Sequence, residues 1–421
     1  MMTAQAKHVA PDNASLRQFS DLSVSDVIKR NLASEHLTTP MPIQAATLIP
    51  ALEGRDILGT ARTGSGKTLA FLLPIVERLI KEPGRGVEAL VLVPTRELAM
   101  QVLETLKIVG RGTGISFALV VGGLSEVRQL EAIRRGARIV IATPGRLEDY
   151  VRRNLVNLAT TKILVLDEAD RMVDMGFMPQ MRTIVERIPR ERQTMCFSAT
   201  LEKSVAHLVH DYLKNPYRAE IGSTIRAAET VFLKAYLVAR EQKLSLLIHL
   251  LEVEGGTYLI FTRTKYGADK LFRKLVQRGF DVGVLHGGKT QSQRTRALEG
   301  FKGGKHRVLV ATDIAARGIH VSGIAHVVNY DMPQVAEDFI HRVGRTGRVE
   351  ETGTATTFVM PEETGEMQTI ERTLGKKIER IPLPQNLVSE PRSLHDEAAD
   401  MGARRATSYS GRKRHFGRRR F

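Results

Sequence analysis

Cysteine occurs once, at position 196, and tryptophan not at all. A single thiol excludes an intrachain disulfide framework and fits a reducing compartment, so a cytoplasmic protein is expected. No apolar run approaches the ~18 residues that a membrane span requires. The first fifteen residues lack the apolar centre of a secretory signal. Aromatic residues make up only 5% of the chain, which argues against an extended base-stacking platform. Acidic residues are in deficit: 62 Lys and Arg against 46 Asp and Glu leave a formal charge of +16. That surplus suggests a polyanionic partner, a solvated basic surface being the plain alternative. What is present is 42% hydrophobic and 26% charged residues, which excludes a wholly disordered chain, and a length of 421 that fits two or three domains.

Half of the net charge sits in residues 401–421, where Arg404, Arg405, Arg412, Lys413, Arg414, Arg418, Arg419 and Arg420 stand with no acid. This stretch lacks apolar periodicity and is expected to be disordered when unbound. Its arginines and aromatics (Tyr409, Phe416, Phe421) suit a non-specific arm for phosphates and unpaired bases. A solubilising or protein-docking tail is the alternative.

Elsewhere, short runs rich in Val, Ile and Leu alternate with helical patterns. They are 57–59, 89–93, 117–121, 139–142, 163–166 and 194–197 in the first half, and 258–261, 282–285, 308–310, 326–329 and 355–359 in the second. Buried parallel strands with helical crossovers read this way, giving an α/β fold of two similar halves. The expected organisation is a leader (1–18), a first domain (19–215), a linker (216–226), a second domain (227–384) and a tail (385–421). Nearly every unusual polar cluster follows an apolar run, at the strand edge where open parallel sheets bind ligands.

The segment Ala61-Arg62-Thr63-Gly64-Ser65-Gly66-Lys67-Thr68 follows a strand and opens the helical pattern 69–81. Its glycines let backbone N–H groups turn toward phosphate oxygens, Lys67 supplies charge to the β/γ-phosphates, and the Thr68 hydroxyl can ligate Mg²⁺. Pro74 inside that pattern is tolerated with a kink or an early end. A second strand, 163–166, ends in Asp167 and Glu168. Asp167 can hold the metal shell while Glu168 orients and deprotonates an attacking water.

Asp167-Glu168-Ala169-Asp170 spells DEAD. Together with the phosphate loop, Pro94-Thr95-Arg96-Glu97-Leu98-Ala99, Thr143-Pro144-Gly145-Arg146, Ser198-Ala199-Thr200 and His341-Arg342-Val343-Gly344-Arg345-Thr346-Gly347-Arg348, it makes the chain resemble a DEAD-box ATP-dependent RNA helicase over roughly residues 19–360. The compact core and short basic tail resemble the bacterial branch. The resemblance implies two RecA-like domains, each a mostly parallel sheet flanked by helices, that close on ATP, Mg²⁺ and RNA. It implies that Phe19 and Gln44 meet the adenine, Phe19 by stacking and Gln44 through its amide, with Thr63, Gly64, Ser65, Gly66, Lys67 and Thr68 around the phosphates. Arg345 and Arg348 would reach the γ-phosphate from the second half, completing a catalytic set with Lys67, Asp167 and Glu168. Asp170, Ser198, Thr200 and His341 would couple hydrolysis to strand separation. Arg96, Gly122, Gly123, Thr143, Gly145, Arg146, Arg263, Gln291, Arg294, Thr312 and Arg317 would face RNA. Residues of these types contact sugar and phosphate, so sequence-independent binding is expected.

Three positions depart from the family pattern. His320 stands where an Asp usually meets the ribose, Gly288 where an acid is common, and His36 where Gly is usual. None removes Lys67, Glu168 or the two arginines, so an active ATPase is expected. A DNA-translocating helicase and an RNA clamp with a silent ATP site are the rival classes. Ribosome-assembly or RNA-decay proteins would be the partners, around a monomeric core with no membrane attachment.

Overall fold

A computed structural model describes residues 16–389 apart from 62–63, 200–202, 222–230, 317–322, 334, 348–352 and 386. Thr63, Thr200, Arg317, His320, Arg348 and the basic tail therefore lie outside the described residues.

The first sheet contains β1 (Ile57–Ala61), β2 (Ala89–Leu92), β3 (Phe117–Val120), β4 (Ile139–Ala142), β5 (Ile163–Asp167), β6 (Gln193–Ser198) and β7 (Tyr217–Ile221). The second contains β8 (Val231–Leu237), β9 (Tyr258–Thr262), β10 (Val282–Leu285), β11 (Val308–Thr312), β12 (His326–Asn329), β13 (Gly353–Val359) and β14 (Glu379–Arg380). The first runs β3-β4-β2-β5-β6-β1-β7 and the second β10-β11-β9-β12-β13-β8-β14. These are the same order, repeated, and the neighbouring strands pair in parallel. The chain thus consists of two RecA-like domains.

The composition of the central strands follows from burial on both faces. Val91 and Val93 belong to one hydrophobic layer, whereas Leu90 and Leu92 belong to the opposite one. In the second domain Leu259 and Phe261 face one layer while Tyr258 and Ile260 face the other. Each such Val or Leu contributes about 1.5–3 kcal/mol on burial, so one charge in β2 would disrupt a layer. The single thiol, Cys196, is enclosed in β6 and its pKa is pushed up to about 12 by burial.

Several boundaries differ from the sequence reading. Residues 217–221, assigned there to the linker, form the edge strand β7 and pair with β1. Its burial is partial on an edge, so the apolar signal is weak. Leu16, assigned to the leader, is buried in the first core. Leu387, assigned to the tail, packs on the second core, and the Val388 N–H donates to Ser245 Oγ at 3.1 Å. The helix Lys67–Lys81 runs through Pro74 without ending. Among the described residues no helix is long and apolar enough to cross a membrane.

Candidate nucleotide and nucleic-acid interface

The loop after β1 turns into the helix Lys67–Lys81 through Gly64 (φ +83°) and Gly66 (φ +85°), left-handed conformations that glycine adopts without penalty. Lys67 is buried, and its Nζ donates to the Ala61 carbonyl at 2.9 Å. Thr68 is half-buried beside it. Gln44 leans over the same loop: its Nε2 donates to the Gly66 carbonyl at 2.9 Å, and its Oε1 accepts from the Met41 N–H at 2.8 Å. The Gln44 amide therefore ties the segment after Pro40 to the phosphate loop, a contact that the adenine reading did not include. A Cβ on Gly66 would lie 2.3 Å from Gln44 Nε2, so only glycine permits this approach. Phe19, expected to stack on a base, is 3% exposed and packs in the first core.

The acidic cluster stands at the end of β5, next to β1 across β6. Asp167 is fully enclosed, and burial, with Lys67 opposing and Glu168 adding, pushes its carboxyl up to about 7. Glu168 adopts a left-handed backbone (φ +53°) that swings it away from the strand path. Burial acts to raise its pKa, but Arg171, Lys67 and Arg345 together hold the carboxyl below its ordinary value. Asp170 accepts from the Arg171 N–H and, at 2.9 Å, from the Ala199 N–H, which links it to the segment after β6 that begins with the enclosed Ser198. Burial opposes ionisation there too, yet Lys67, Arg171 and His341 hold Asp170 below its usual range.

Arg345 and His341 belong to the second domain, so their charges reach Glu168 and Asp170 across the cleft. Arg345 is 3% exposed, and its Nε donates to the His341 carbonyl. The helix Ala336–Val343, which carries His341 and leads into Arg345, is fixed by Arg342. That guanidinium forks onto both oxygens of Asp313 at 2.5 and 2.8 Å and also reaches Asn329 Oδ1 and the Asp331 carbonyl. Arg342 was not singled out from sequence, because nothing in the motif distinguishes it from its neighbouring arginines.

A cavity of about 270 Å³ lies at the opposite side of the cleft, lined in part by Arg96, Glu97, Gly122, Thr143, Gly145 and Arg146, with Arg294 of the second domain. Burial and the charges of Arg294 and Arg146 lower the pKa of Arg96, so three guanidiniums crowd a space suited to a polyanion. Arg96 lies directly on Gly122 and Gly123: a Cβ there would come within 2.9 and 2.1 Å of its nitrogens. The glycines thus make room for Arg96 rather than merely exposing backbone. Thr143 is buried at the start of the helix Pro144–Arg152, and the space around Gly145 is open. Arg146 also donates to Glu126 and lies over the Tyr150 ring at 5.5 Å. Met175 and Phe177 line the same cavity and were missed in the sequence, where they read as ordinary apolar residues.

In the second domain Gln291 and Arg294 both face Glu97. Arg263 bonds the Met332 carbonyl and Glu363, so its head group holds its own domain together. Thr312 is buried at the end of β11. Lys265, also missed, repeats the Arg96 arrangement. It opens the helix after β9, follows a Thr264 cap as Arg96 follows Thr95, and lies against Gly287 and Gly288.

Two topologically identical α/β domains, one with a glycine phosphate loop and the other presenting arginine to the adjoining acidic cluster, define the two-domain RecA-like class. The comparisons narrow this class. Residues 41–208 match the DEAD/DEAH box helicase family and residues 242–350 the helicase conserved C-terminal domain. The chain is 44% identical over 350 residues to DEAD-box ATP-dependent RNA helicase 30 of Arabidopsis thaliana, covering 82% of this chain and 59% of that protein. It is 41% identical over 350 residues to DEAD-box ATP-dependent RNA helicase 20 of the same plant, covering 82% of this chain and 70% of that one. Among solved structures, S. cerevisiae Dbp5 L327V bound to RNA and ADP BeF3 is similar with a TM-score of 0.78 and 30% identity, over 87% of this chain and 96% of that one. The chain belongs to the DEAD-box ATP-dependent RNA helicase family.

Proposed function

We propose that this protein hydrolyses ATP when its two domains close together on a single RNA strand, and that closure opens short duplexes or remodels RNA–protein contacts locally. The observation that carries this reading is the split catalytic centre. Glu168 and Asp170 of one domain feel Arg345 and His341 of the other, while Arg294 meets Glu97 on the RNA side of the same cleft. Nucleotide and RNA would thus favour one and the same closed arrangement. Likeness to S. cerevisiae Dbp5 L327V bound to RNA and ADP BeF3 supports it.

In the reaction, a water oxygen bonds to the γ-phosphorus as the bond to the β–γ bridging oxygen breaks, and Glu168 takes the water proton. Lys67 and Arg345 offset charge on the transferring group. Asp167 fits a divalent cation, because a carboxyl pushed up to about 7 by burial gains most from a compact positive charge. Thr68 and Asp167 would hold Mg²⁺, which when bound neutralises phosphate charge.

The test is RNA-stimulated ATP turnover with Lys67→Ala and Glu168→Gln. Both should abolish turnover, and Glu168→Gln should retain RNA in the presence of ATP. Equal stimulation by single-stranded DNA would defeat the RNA assignment, and RNA release from Glu168→Gln as fast with ATP as without would defeat the closure mechanism.

A further inference from the structure

Among the described residues Arg171 is the largest side chain fully withdrawn from solvent, at 1% exposure. A guanidinium in the interior carries a desolvation cost of several kcal/mol. Two other arginines, Arg342 and Arg138, with side chains 3% and 15% exposed, offset it by near-saturation of their donors. Arg342 uses Nε and both terminal nitrogens on Asp313, Asn329 and the Asp331 carbonyl. Arg138 likewise engages Glu88 and the Leu79 and Glu82 carbonyls. Arg171 is different. Its one side-chain hydrogen bond runs from Nη1 to Glu168 Oε2 at 2.7 Å, and its enclosed Nη2 has no partner among the described residues. A guanidinium buried for packing alone would be expected to fill its donors as the other two do.

We propose that Arg171 is a positioning residue for ATP hydrolysis, occupying one oxygen of the Glu168 carboxylate so that the other faces the attacking water. Local geometry makes this possible. The left-handed backbone at Glu168 ends β5 and starts the helix Ala169–Asp174, on which Arg171, three residues on, returns beside it. Lys67 and Arg345 also attract Glu168. Arg345 arrives from the other domain, and Lys67 sits on the phosphate loop. Arg171 is the one cation of the three on Glu168's own helix, so it holds the carboxylate in place before, during and after closure. Without it, Glu168 would swing toward Lys67 or Arg345 and block the site it serves.

This inference rests on Glu168 acting as the base, and the experiment separates the two. RNA-stimulated ATP hydrolysis is measured for Arg171→Met, Arg171→Lys, Glu168→Gln and the double variant Glu168→Gln/Arg171→Met, with melting temperatures for each. Misplacement of a catalytic group by about 1 Å costs on the order of 100-fold. Arg171→Met should therefore lose about 10- to 100-fold in kcat with KM for ATP and RNA unchanged. Arg171→Lys should recover part of the loss, and the double variant should be no slower than Glu168→Gln. If Arg171→Met melts early, Arg171→Lys and Arg171→Gln, which keep a polar head, carry the comparison at a temperature where both are folded. Unchanged kcat in the folded variants, a rise in KM alone, or a double variant slower than Glu168→Gln would overturn the proposal. Wild-type turnover in Glu168→Gln would instead overturn the assignment of the base.

Discussion

Arg294 Nη2 lies 2.7 Å from Glu97 Oε2, and the two residues come from different domains with side chains 12% and 3% exposed. Gln291 Nε2 donates to the other oxygen of the same carboxylate at 3.3 Å. Two residues whose chemistry suits RNA therefore also fasten the cleft shut around one buried acid. Removing one partner of a buried pair leaves a charge uncompensated, a penalty of about 3–5 kcal/mol, but only in the closed state, since opening rehydrates both. Glu97→Gln should thus raise the RNA concentration needed for half-maximal ATP turnover while leaving the melting temperature of the unliganded protein nearly unchanged. Glu97→Gln/Arg294→Gln should recover part of the loss. Titration of ATPase activity with RNA, alongside interdomain energy transfer, checks both.

Gly123 makes a second test of the RNA face. It has φ +78°, and an added Cβ would sit 2.1 Å from Arg96 Nη1. Gly123→Ala must therefore displace the guanidinium. Losing a charged hydrogen bond costs about 1.5–3 kcal/mol, so RNA affinity should fall by at least roughly tenfold while ATP affinity holds. Arg96→Ala should match it, and the pair together should be no worse than either alone, because both act on one contact. Additive losses in a double-mutant cycle would contradict this.

What could be read from the chain was what local pattern encodes. Continuous apolar runs mark β2, β4 and β5 because both faces of those strands are buried, and the glycines of the phosphate loop mark a bend that only they allow. The edge strands β7 and β14 were not legible, since partial exposure removes the apolar signal. Partners were not legible either. Glu97, Arg171 and Arg342 lie inside or beside recognisable motifs, but which carboxylate each arginine meets depends on elements far apart in sequence. For Phe19 the sequence suggested a base stack but did not show its burial within the first core. The repeat carries a similar lesson. Lys243 opens the first α-helix after β8 as Lys67 does after β1, and each Nζ donates to a carbonyl at 2.9 Å. With no glycine loop before it, Lys243 pins the Tyr330 carbonyl within its own domain, and burial lowers its pKa.

His36 departs from the usual glycine and shows why glycine is usual. It follows the helix Asp26–Ser34 with φ +56°, its N–H on the Ala33 carbonyl at 3.0 Å. A left-handed conformation costs a non-glycine residue about 1–2 kcal/mol. Part of that is regained in the unfolded chain, where glycine is more flexible. His36→Gly should raise the melting temperature of the first domain without altering ATP turnover, since the side chain is exposed and outside the catalytic cluster. A lowered melting temperature in calorimetry would refute the strain argument.

His326 gives the protein a built-in sensitivity to acid, distant from the nucleotide site. It stacks on Tyr258 with ring centroids 4.4 Å apart, and its Nε2–H donates to the Gly255 carbonyl at 2.9 Å. Glu254 lies 3.3 Å from Nδ1, while Lys234 and Arg307 stand nearby. Burial lowers the imidazole pKa, with Lys234 and Arg307 adding to it and Glu254 and the Gly255 bond opposing it. The folded protein therefore holds the ring neutral at a pH where the unfolded chain, with an ordinary pKa near 6.5, already binds the proton. Unfolding then takes up a proton, and stability falls as pH drops below about 6.5 toward the folded value. Replacing the ring with an uncharged side chain removes this contribution. The melting temperature of His326→Gln should be lower than wild type at pH 8, where the stack is lost without compensation, but the gap should narrow as pH falls below about 6.5. A gap that stays constant as the pH is lowered would show that His326 titrates alike in the folded and unfolded states.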